Sequence, residues 1–234
     1  MSFKKNKYAI IKKAIDKDLA LFVYNYFLMK RQVAKTCLEY RFISPFESML
    51  GRWDDGQVPN TYSHYSDIAM ETLLLKCQPI MEKTTGLKLN PAYSYARIYK
   101  KGDILERHKD RFSCEISTTM NLGGDDWPLY LNPNPKAGYV YGPKTGVHQI
   151  QTYSPTNDKG IKVDLKCGDM LVYRGCELEH WRYKLKGKEC AQVFLHYNDS
   201  KTLGAKTNMF DTRPHLGLPH WFKWMADKNK KQRG

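Results

Sequence analysis

His108 and Asp110 are two potential metal ligands separated by a single residue. On an extended backbone, residues two apart leave the same face, so these two side chains can converge on one ion. A second histidine, His180, stands downstream, after a strand-like segment. Two imidazoles and one carboxylate form a facial ligand set that suits non-haem Fe(II) and leaves open positions for other ligands. His-x-Asp arises readily by chance, so the surrounding elements must support this interpretation.

The middle of the chain alternates between apolar and polar residues, which is the pattern of half-buried strands. In residues 114–122 the even positions are mostly apolar and the odd positions are polar. Such a strand places apolar groups on one face of a sheet and a polar lining on the other. We expect seven or eight short strands. The clearest are residues 93–99, 114–122, 129–131, 161–165, 170–173 and 192–197.

Two segments near the amino terminus, residues 8–40 and 66–85, have apolar residues at spacings of three and four, which predicts helices. Asp16 or Asp18 is a candidate start for a second helical segment within the first. Gly86 is the expected C-cap of the later helix, whereas Pro79 should kink or split it. Residues 41–60 are predicted to be loop and residues 132–160 a long irregular insertion. In the mixed segment 200–234, Trp221 and Trp224 are expected to pack on the body.

Helices followed by short strands with tight turns predict an α+β fold whose second part is an antiparallel barrel or jelly roll. The length of 234 residues suits one large domain or two small ones. We expect a single domain, 1–234. Residues 1–86 would be mostly helical support and loops, residues 87–199 the core, and residues 200–234 an extension.

The composition restricts the classes of partner. The net charge of +14 invites a nucleic-acid partner, but 28 of the 38 basic residues are Lys, and Arg is the better reader of bases and phosphates. No apolar run approaches the roughly 18–20 residues of a membrane-spanning helix, and the start lacks the apolar region of a secretory signal. We therefore expect an intracellular, cytoplasmic protein with no membrane partner. The six cysteines include no C-x-x-C pair, which argues against a zinc ribbon and for reduced thiols.

Five short motifs between residues 87 and 199 are similar to those of a known family. They are Tyr95-Ala-Arg-Ile-Tyr99, Lys101-Gly-Asp103, His108-Lys-Asp110, Gly168-Asp-Met170 and Gln192-Val-Phe-Leu-His-Tyr197. The region resembles the Fe(II)- and 2-oxoglutarate-dependent dioxygenases, and among them the prolyl-4-hydroxylase-like branch.

The resemblance implies a double-stranded β-helix, which is a jelly-roll barrel buttressed by N-terminal helices. It also implies that His108, Asp110 and His180 are the iron ligands. Because halogenases of this superfamily lack the carboxylate, Asp110 favours hydroxylation. The implied cofactor is Fe(II), with 2-oxoglutarate and O2 as cosubstrates and ascorbate as a candidate reductant. The branch acts on prolyl residues, so a protein or peptide substrate is expected first.

The sequence departs from the family where a cation should meet the distal carboxylate of 2-oxoglutarate. The family usually supplies an Arg or Lys on the last barrel strand, but positions 189–191 here hold Glu, Cys and Ala. Two substitutes are available. Arg182 lies two residues after His180 and shares its face if the strand continues, whereas Lys188 stands in a predicted turn. A planar guanidinium matches a carboxylate better than an ammonium does, which favours Arg182.

Other polar side chains are candidates for the same cosubstrate site. Gln192 could hydrogen-bond the carboxylate, or simply line the barrel. Tyr99 stands where relatives often place a tyrosine near the cosubstrate, or it packs in the core. Thr119 and Asn121 are weaker candidates on the polar face of their strand.

Three interpretations of the function stay open. The first is a dioxygenase that acts on protein, and the second is a dioxygenase that acts on a nucleic-acid base or a small metabolite. The third is a non-catalytic jelly-roll binding or structural module, which the missing last-strand cation supports. Loops that flank the barrel mouth, residues 41–65 and 132–160, would choose the substrate. The sequence leaves the oligomeric state open.

Overall fold

Antiparallel sheets dominate the computed structural model, which describes residues 2–145 and 148–223. The helices are α1 (Phe3–Asn6), α2 (Lys17–Glu39) and α3 (Ile68–Thr85), with short 3-10 helices at Phe112–Cys114 and Met209–Thr212. The strands are β1 (Tyr8–Ile11), β2 (Tyr62–Tyr65), β3 (Leu89–Lys100), β4 (Leu105–His108), β5 (Ile116–Gly124), β6 (Leu129–Leu131), β7 (Tyr139–Thr145), β8 (His148–Tyr153), β9 (Ile161–Val163), β10 (Met170–Arg174), β11 (His180–Arg182) and β12 (Glu189–Asp199).

Two sheets pack against each other. The six-stranded sheet has the order β1-β10-β5-β12-β3-β2, the four-stranded sheet has the order β4-β11-β6-β9, and β7 and β8 form a separate hairpin. Leu131 of the smaller sheet and Leu171 of the larger belong to one buried cluster. This is the predicted α+β jelly-roll architecture. Among the described residues, hydrogen bonds do not close the two sheets into a barrel.

Strand β5 of the large sheet has an apolar outer face and a polar inner face, as the alternation in residues 114–122 predicts. Ile116 and Met120 of β5 join the main core beneath α2 and α3. Ser117 and Thr119 face the interior instead, where Thr119 Oγ1 donates to Gln192 Oε1 at 3.0 Å. Burying a hydroxyl costs free energy unless it is hydrogen-bonded, so the inner polar groups must pair with one another or with a ligand.

Helix α3 has the predicted end at Gly86, which adopts a left-handed φ of 72°. Its start is capped by Asp67, whose carboxylate accepts from the Met70 amide at 3.1 Å. The helix continues without a break through Pro79, so the predicted split is wrong. Pro79 has no N–H group to donate to the carbonyl of Leu75, four residues earlier in the helix. Both residues lie on the exposed face, so this unpaired carbonyl is on the solvent side of the helix.

Two other predictions about the elements need correction. Residues 8–11 form a strand rather than a helix, because they pair with β10 at the edge of the large sheet, Tyr8 opposite Tyr173. The helix then begins at Lys17, directly after Asp16, as one of the two expected starts. The insertion 132–160 contains the β7–β8 hairpin. The described residues form twelve strands rather than seven or eight, because several have only three or four residues, too few to show a period.

The segment after β12 is held to the body by two ion pairs, each with a buried carboxylate. Arg213 Nη2 lies 2.8 Å from Glu71 Oε1 of α3, and Asp211 accepts two hydrogen bonds from Arg111, each 2.8 Å. At residues 210–212 the chain has left-handed φ values of 56°, 55° and 66°. This conformation is costly for residues other than glycine, so the two ion pairs must maintain it. Trp221, which was expected to pack on the body, is 47% exposed and lines a surface groove with Phe46 and Tyr65. Trp224 lies outside the described residues.

Membrane-spanning helices and disulfide bonds are both absent from the described residues. None of the helices is long and apolar enough to cross a membrane. None of the six cysteines, all of which are described, is bridged to another.

We predict that Arg213→Ala destabilises the fold by about 3–5 kcal/mol, because it leaves the buried Glu71 carboxylate without its cation. Urea unfolding monitored by circular dichroism measures this change. Lys162→Ala is the matched control, since the Lys162–Asp164 pair is exposed and should contribute less than about 1 kcal/mol. Equal losses in the two variants would contradict the anchoring role of Arg213.

Candidate metal centre

His108, Asp110 and His180 meet because β4 and β11 are neighbours in the small sheet. His108 ends β4, His180 begins β11, and the two residues are directly opposite in the antiparallel register. Their ring centroids are 4.1 Å apart. Asp110 Oδ1 lies 3.6 Å from the Nε2 atom of each histidine, and one ligand atom from each of the three lies within 4.8 Å of the others. The structure thus brings all three predicted ligands together.

Backbone carbonyls orient both imidazoles. His108 Nδ1 donates to the Glu106 carbonyl at 2.8 Å, and His180 Nδ1 donates to the Leu178 carbonyl at 3.0 Å. Because each Nδ1 carries the proton, each Nε2 lone pair points toward Asp110 and can bind a metal. The Tyr173 hydroxyl lies 3.2 Å from His180 Nε2, so a metal bound there would release that hydroxyl.

The Asp110 carboxylate is fixed by a buried hydroxyl. Ser117 Oγ lies 2.8 Å from Asp110 Oδ2, 2.8 Å from the Cys114 carbonyl and 3.0 Å from His196 Nδ1. Its single proton can be donated to the carboxylate or to the carbonyl, and Asp110 Oδ1 is left to face the two histidines. The Asp110 amide also donates to the Gly175 carbonyl at 2.9 Å. A Cβ atom at Gly175 would collide with the Asp110 carboxylate, so the close approach of the two segments requires glycine.

The electrostatics of the cluster give the protonation states that metal binding needs. Burial, with repulsion from His180, lowers the pKa of His108 to about 4. Burial alone would raise the pKa of Asp110, but the His180 and His108 imidazoles outweigh it and lower that pKa below the usual carboxylic acid range. At neutral pH the His108 imidazole is therefore neutral and the carboxylate ionised.

A cavity of about 140 Å³ opens beside these ligands. Its walls come from the inner face of the large sheet and from the small sheet. Beyond the three ligands they include Tyr93, Tyr95, Arg97, Leu105, Leu129, Tyr173, Phe194 and His196.

Arg182 is a buried cation that no described carboxylate neutralises. Its side chain is 1% exposed, and its Nη2 donates to Thr119 Oγ1 at 3.1 Å and to Gln192 Oε1 at 3.3 Å. Nη1 donates to the Trp127 carbonyl, and buried Nε has no partner among the described residues. Burial lowers the pKa of Arg182 below its usual value. Arg182 lies two residues from His180 on a strand, roughly 6.6 Å away along the chain.

Of the other predicted cosubstrate residues, some contact Arg182 and the rest do not. Gln192 and Thr119 contact Arg182, as described. Tyr99 is fully buried and accepts from Arg97 Nη1 at 3.1 Å rather than from Arg182. Asn121 bonds the Leu165 carbonyl. Lys188 is exposed at the surface.

Sequence reasoning missed the residues that support the ligands, namely Ser117, Tyr173, Gly175 and His196. Ser117 was visible only as one of several polar positions on β5, and His196 only as part of a strand motif. Cys114 and His196 could also join Asp110 as a second ligand group. Their polar atoms, however, already bond Tyr93 and Ser117.

No protein-family model matches the sequence, and no curated protein matches it. Solved structures do match. A prolyl-4-hydroxylase from Pseudomonas putida aligns with a TM-score of 0.53 at 12% identity, over 84% of this chain and 95% of that one. HygX from Streptomyces hygroscopicus, with nickel and 2-oxoglutarate bound, aligns with a TM-score of 0.52 at 13% identity over 85% of each chain.

The chain has the fold of the 2-oxoglutarate-dependent oxygenases. The non-haem α-ketoglutarate-dependent epimerase SnoN of nogalamycin biosynthesis is also similar, with a TM-score of 0.53 at 13% identity over 85% of this chain and 80% of that one. A hydroxylase and an epimerase therefore share this oxygenase fold, so the fold leaves the reaction and the substrate open.

We predict that Ser117→Ala weakens divalent metal binding by roughly 10–100-fold, because Asp110 Oδ2 loses the donor that fixes the carboxylate. Calorimetric titration with Mn(II) measures the affinity. Ser94→Ala is the control: its buried hydroxyl on β3 has no partner among the described residues, so its removal should leave the affinity unchanged. Equal affinity in wild type and Ser117→Ala would exclude this role for Ser117.

Proposed function

We propose that the protein is an Fe(II)- and 2-oxoglutarate-dependent dioxygenase whose metal is held by His108, Asp110 and His180. The donor set supports the proposal, because two neutral imidazoles and one carboxylate on one side of an ion suit Fe(II) and leave positions for the cosubstrates. One ligand atom from each of the three residues lies within 4.8 Å of the others, and all three residues line a cavity.

Arg182 is the residue we propose for the distal carboxylate of 2-oxoglutarate. The observation that carries the proposal is this buried guanidinium, which has no carboxylate partner among the described residues and a free Nε donor. An isolated buried charge is costly, so an anion from outside the chain would offset that cost. The spacing between His180 and Arg182, roughly 6.6 Å along the strand, is comparable to the length of a five-carbon dicarboxylate.

Two other cations fit this role less well. Arg97 also lines the cavity, but Asp55 neutralises it through Nε at 2.5 Å and Nη2 at 3.1 Å. Lys188 is exposed. Arg182 itself does not line the cavity, whereas Leu105, its partner across the sheet, does. Access to Arg182 therefore requires a side-chain shift, and we propose Tyr173 as the residue that shifts, because a metal on His180 Nε2 would displace the Tyr173 hydroxyl.

The residues of the chain would divide the work as follows. Iron and 2-oxoglutarate, when bound, supply the oxidative chemistry that activates O2 and hydroxylates a C–H bond. Glu106 and Leu178 hold the imidazoles through their carbonyls, and Ser117 holds the carboxylate. Thr119 and Gln192 orient the Arg182 guanidinium toward the cosubstrate.

For the substrate we propose a prolyl side chain of a protein or peptide. An open groove of about 460 Å³ shares Tyr95 with the cavity, and the aromatic rings of Phe46, Tyr65 and Trp221 line it. Aromatic-lined grooves suit proline-rich extended chains. Two of the similar structures are prolyl hydroxylases, the Pseudomonas putida enzyme and a viral collagen prolyl hydroxylase.

We predict that the wild type releases succinate from 2-oxoglutarate in the presence of Fe(II), ascorbate and O2, and that His108→Ala lowers the rate about 100-fold or more, because a metal ligand is lost. His215→Ala is the control, since this exposed histidine lies outside the site and should keep full activity.

The same assay tests the substrate when proline-rich peptides and single-stranded oligonucleotides are added in separate arms. Stimulation by peptides alone supports the prolyl proposal, and stimulation by oligonucleotides alone replaces it. If no arm yields iron-dependent succinate, and Mn(II) with 2-oxoglutarate leaves the melting temperature unchanged, the chain is a binding module rather than a dioxygenase.

A further inference from the structure

The outer face of the small sheet carries an aromatic pocket. Along β6 the side chains of Leu129 and Leu131 are buried between the sheets, so Tyr130 between them points to the outside. Tyr183, which follows β11, lies edge-on to the Tyr130 ring, with the ring centroids 4.7 Å apart. These two tyrosines and Trp127 line an open pocket of about 380 Å³, which we call the outer pocket. None of its lining residues lines the metal cavity.

Tyr183 presents its ring to solvent from a backbone that is held in place. The residue is 53% exposed, whereas its carbonyl accepts from Nε1 of the buried Trp127 at 2.7 Å. The neighbouring Tyr130 ring stacks on Trp181, with 5.9 Å between the centroids and 18° between the planes. An aromatic ring fixed in this way loses little conformational freedom when a flat group stacks on it. The outer pocket is therefore a prepared stacking surface.

Two lysine side chains share the outer pocket with the tyrosines. Lys184 and Lys186 both line it, and neither forms an ion pair with a described residue. The pocket thus combines an exposed aromatic face with positive charge that no described carboxylate neutralises. It does so in a chain whose net charge is +14, which would attract a polyanion from a distance.

The acidic residues near the outer pocket are already engaged. Asp126 lines the pocket and is paired with Lys166. Asp125, one residue earlier, accepts from the backbone amides of Lys188 and Glu189 at 2.6 and 3.1 Å. The ammonium groups of the two pocket lysines are therefore available to a ligand, and they would bind an anionic group.

A ligand for the outer pocket needs a flat face and a negative charge close together. Each nucleotide of a single strand has both, because its base stacks on aromatic rings and its phosphate pairs with lysine. In a duplex the bases are stacked on one another and are not free to cover an exposed tyrosine ring. Lysine binds phosphate as a point charge and does not read base edges, so the excess of Lys over Arg fits binding without sequence preference.

We propose that the outer pocket binds single-stranded nucleic acid without sequence preference. A base stacks on the Tyr183 ring, and the flanking phosphates contact Lys184 and Lys186. The metal cavity lies on the other side of the small sheet, so a base held on Tyr183 is a docked group and not the group that is oxidised. This proposal is independent of the proposed oxygenase activity and applies equally to the protein without metal.

The test is fluorescence anisotropy of a labelled oligothymidylate of about 16 nucleotides, titrated with metal-free protein. Tyr183→Ala should weaken binding about fivefold or more, because one base–aromatic stack is lost. Tyr40→Ala is the matched control, since Tyr40 is also strongly exposed but lies outside the pocket, and it should bind as the wild type does. A wild type that does not bind, or an equal loss in the two variants, overturns the proposal.

Lysine variants separate the outer pocket from the general positive charge of the chain. Lys184→Gln with Lys186→Gln should lower the slope of log affinity against log salt by about 1.4, since each phosphate contact on a single strand contributes about 0.7. Lys83→Gln with Lys88→Gln removes the same charge on the far side of the large sheet and should leave the slope unchanged. Equal slopes in the two double variants would show that net charge alone attracts the strand, contrary to the proposal.

An abasic oligonucleotide of the same length is the matched control for the ligand. It keeps the phosphates and lacks the bases, so the wild type should bind it about fivefold or more weakly than oligothymidylate. Tyr183→Ala should bind the two oligonucleotides nearly equally. Circular dichroism checks that this variant is folded, and if it is not, the comparison on the wild type alone decides. Equal affinity of the wild type for both oligonucleotides would exclude stacking and refute the proposal.

Discussion

The pairing of β4 with β11 is the constraint on which the candidate site depends. It sets His108 opposite His180, and it does so with strands of only four and three residues. Such short strands have little stability of their own, so their register must come from the elements around them. Gly175 contributes, because only glycine lets that segment close on Asp110 and accept its amide hydrogen bond.

The division of the large sheet into two faces explains how a polar site can lie inside a stable domain. Its outer face buries apolar side chains beneath α2 and α3, and this core supplies the driving force for folding. Its inner face buries hydroxyl, imidazole and guanidinium groups, which lowers the stability of the fold. Arg182 of the facing small sheet is the extreme case, since its charge is buried without a carboxylate among the described residues. Natural sequences depart from the rules of stable packing mainly where function requires it.

Much of this arrangement is predictable from the sequence, and the rest depends on tertiary contacts. The alternation in β5 predicts both the apolar face and the polar lining. His108, Asp110 and His180 are recognisable from residue type and order. The strand at residues 8–11 is not recognisable from the sequence, because its apolar residues fit a helix equally well. The strand forms because the edge of β10 is available for pairing. The support from Ser117 and His196 joins residues 79 positions apart, which no local pattern reveals.

The central claim is that the three ligands and Arg182 form one site that binds the two ends of 2-oxoglutarate. Calorimetric titration of 2-oxoglutarate into wild type and Arg182→Leu, with and without Mn(II), tests it most directly. The variant should fold, because Leu replaces an uncompensated buried cation. The account predicts tight binding only to Mn(II)-loaded wild type, and at least about tenfold weaker binding to the variant. Equal affinity in the two proteins, or binding that does not depend on the metal, would contradict it.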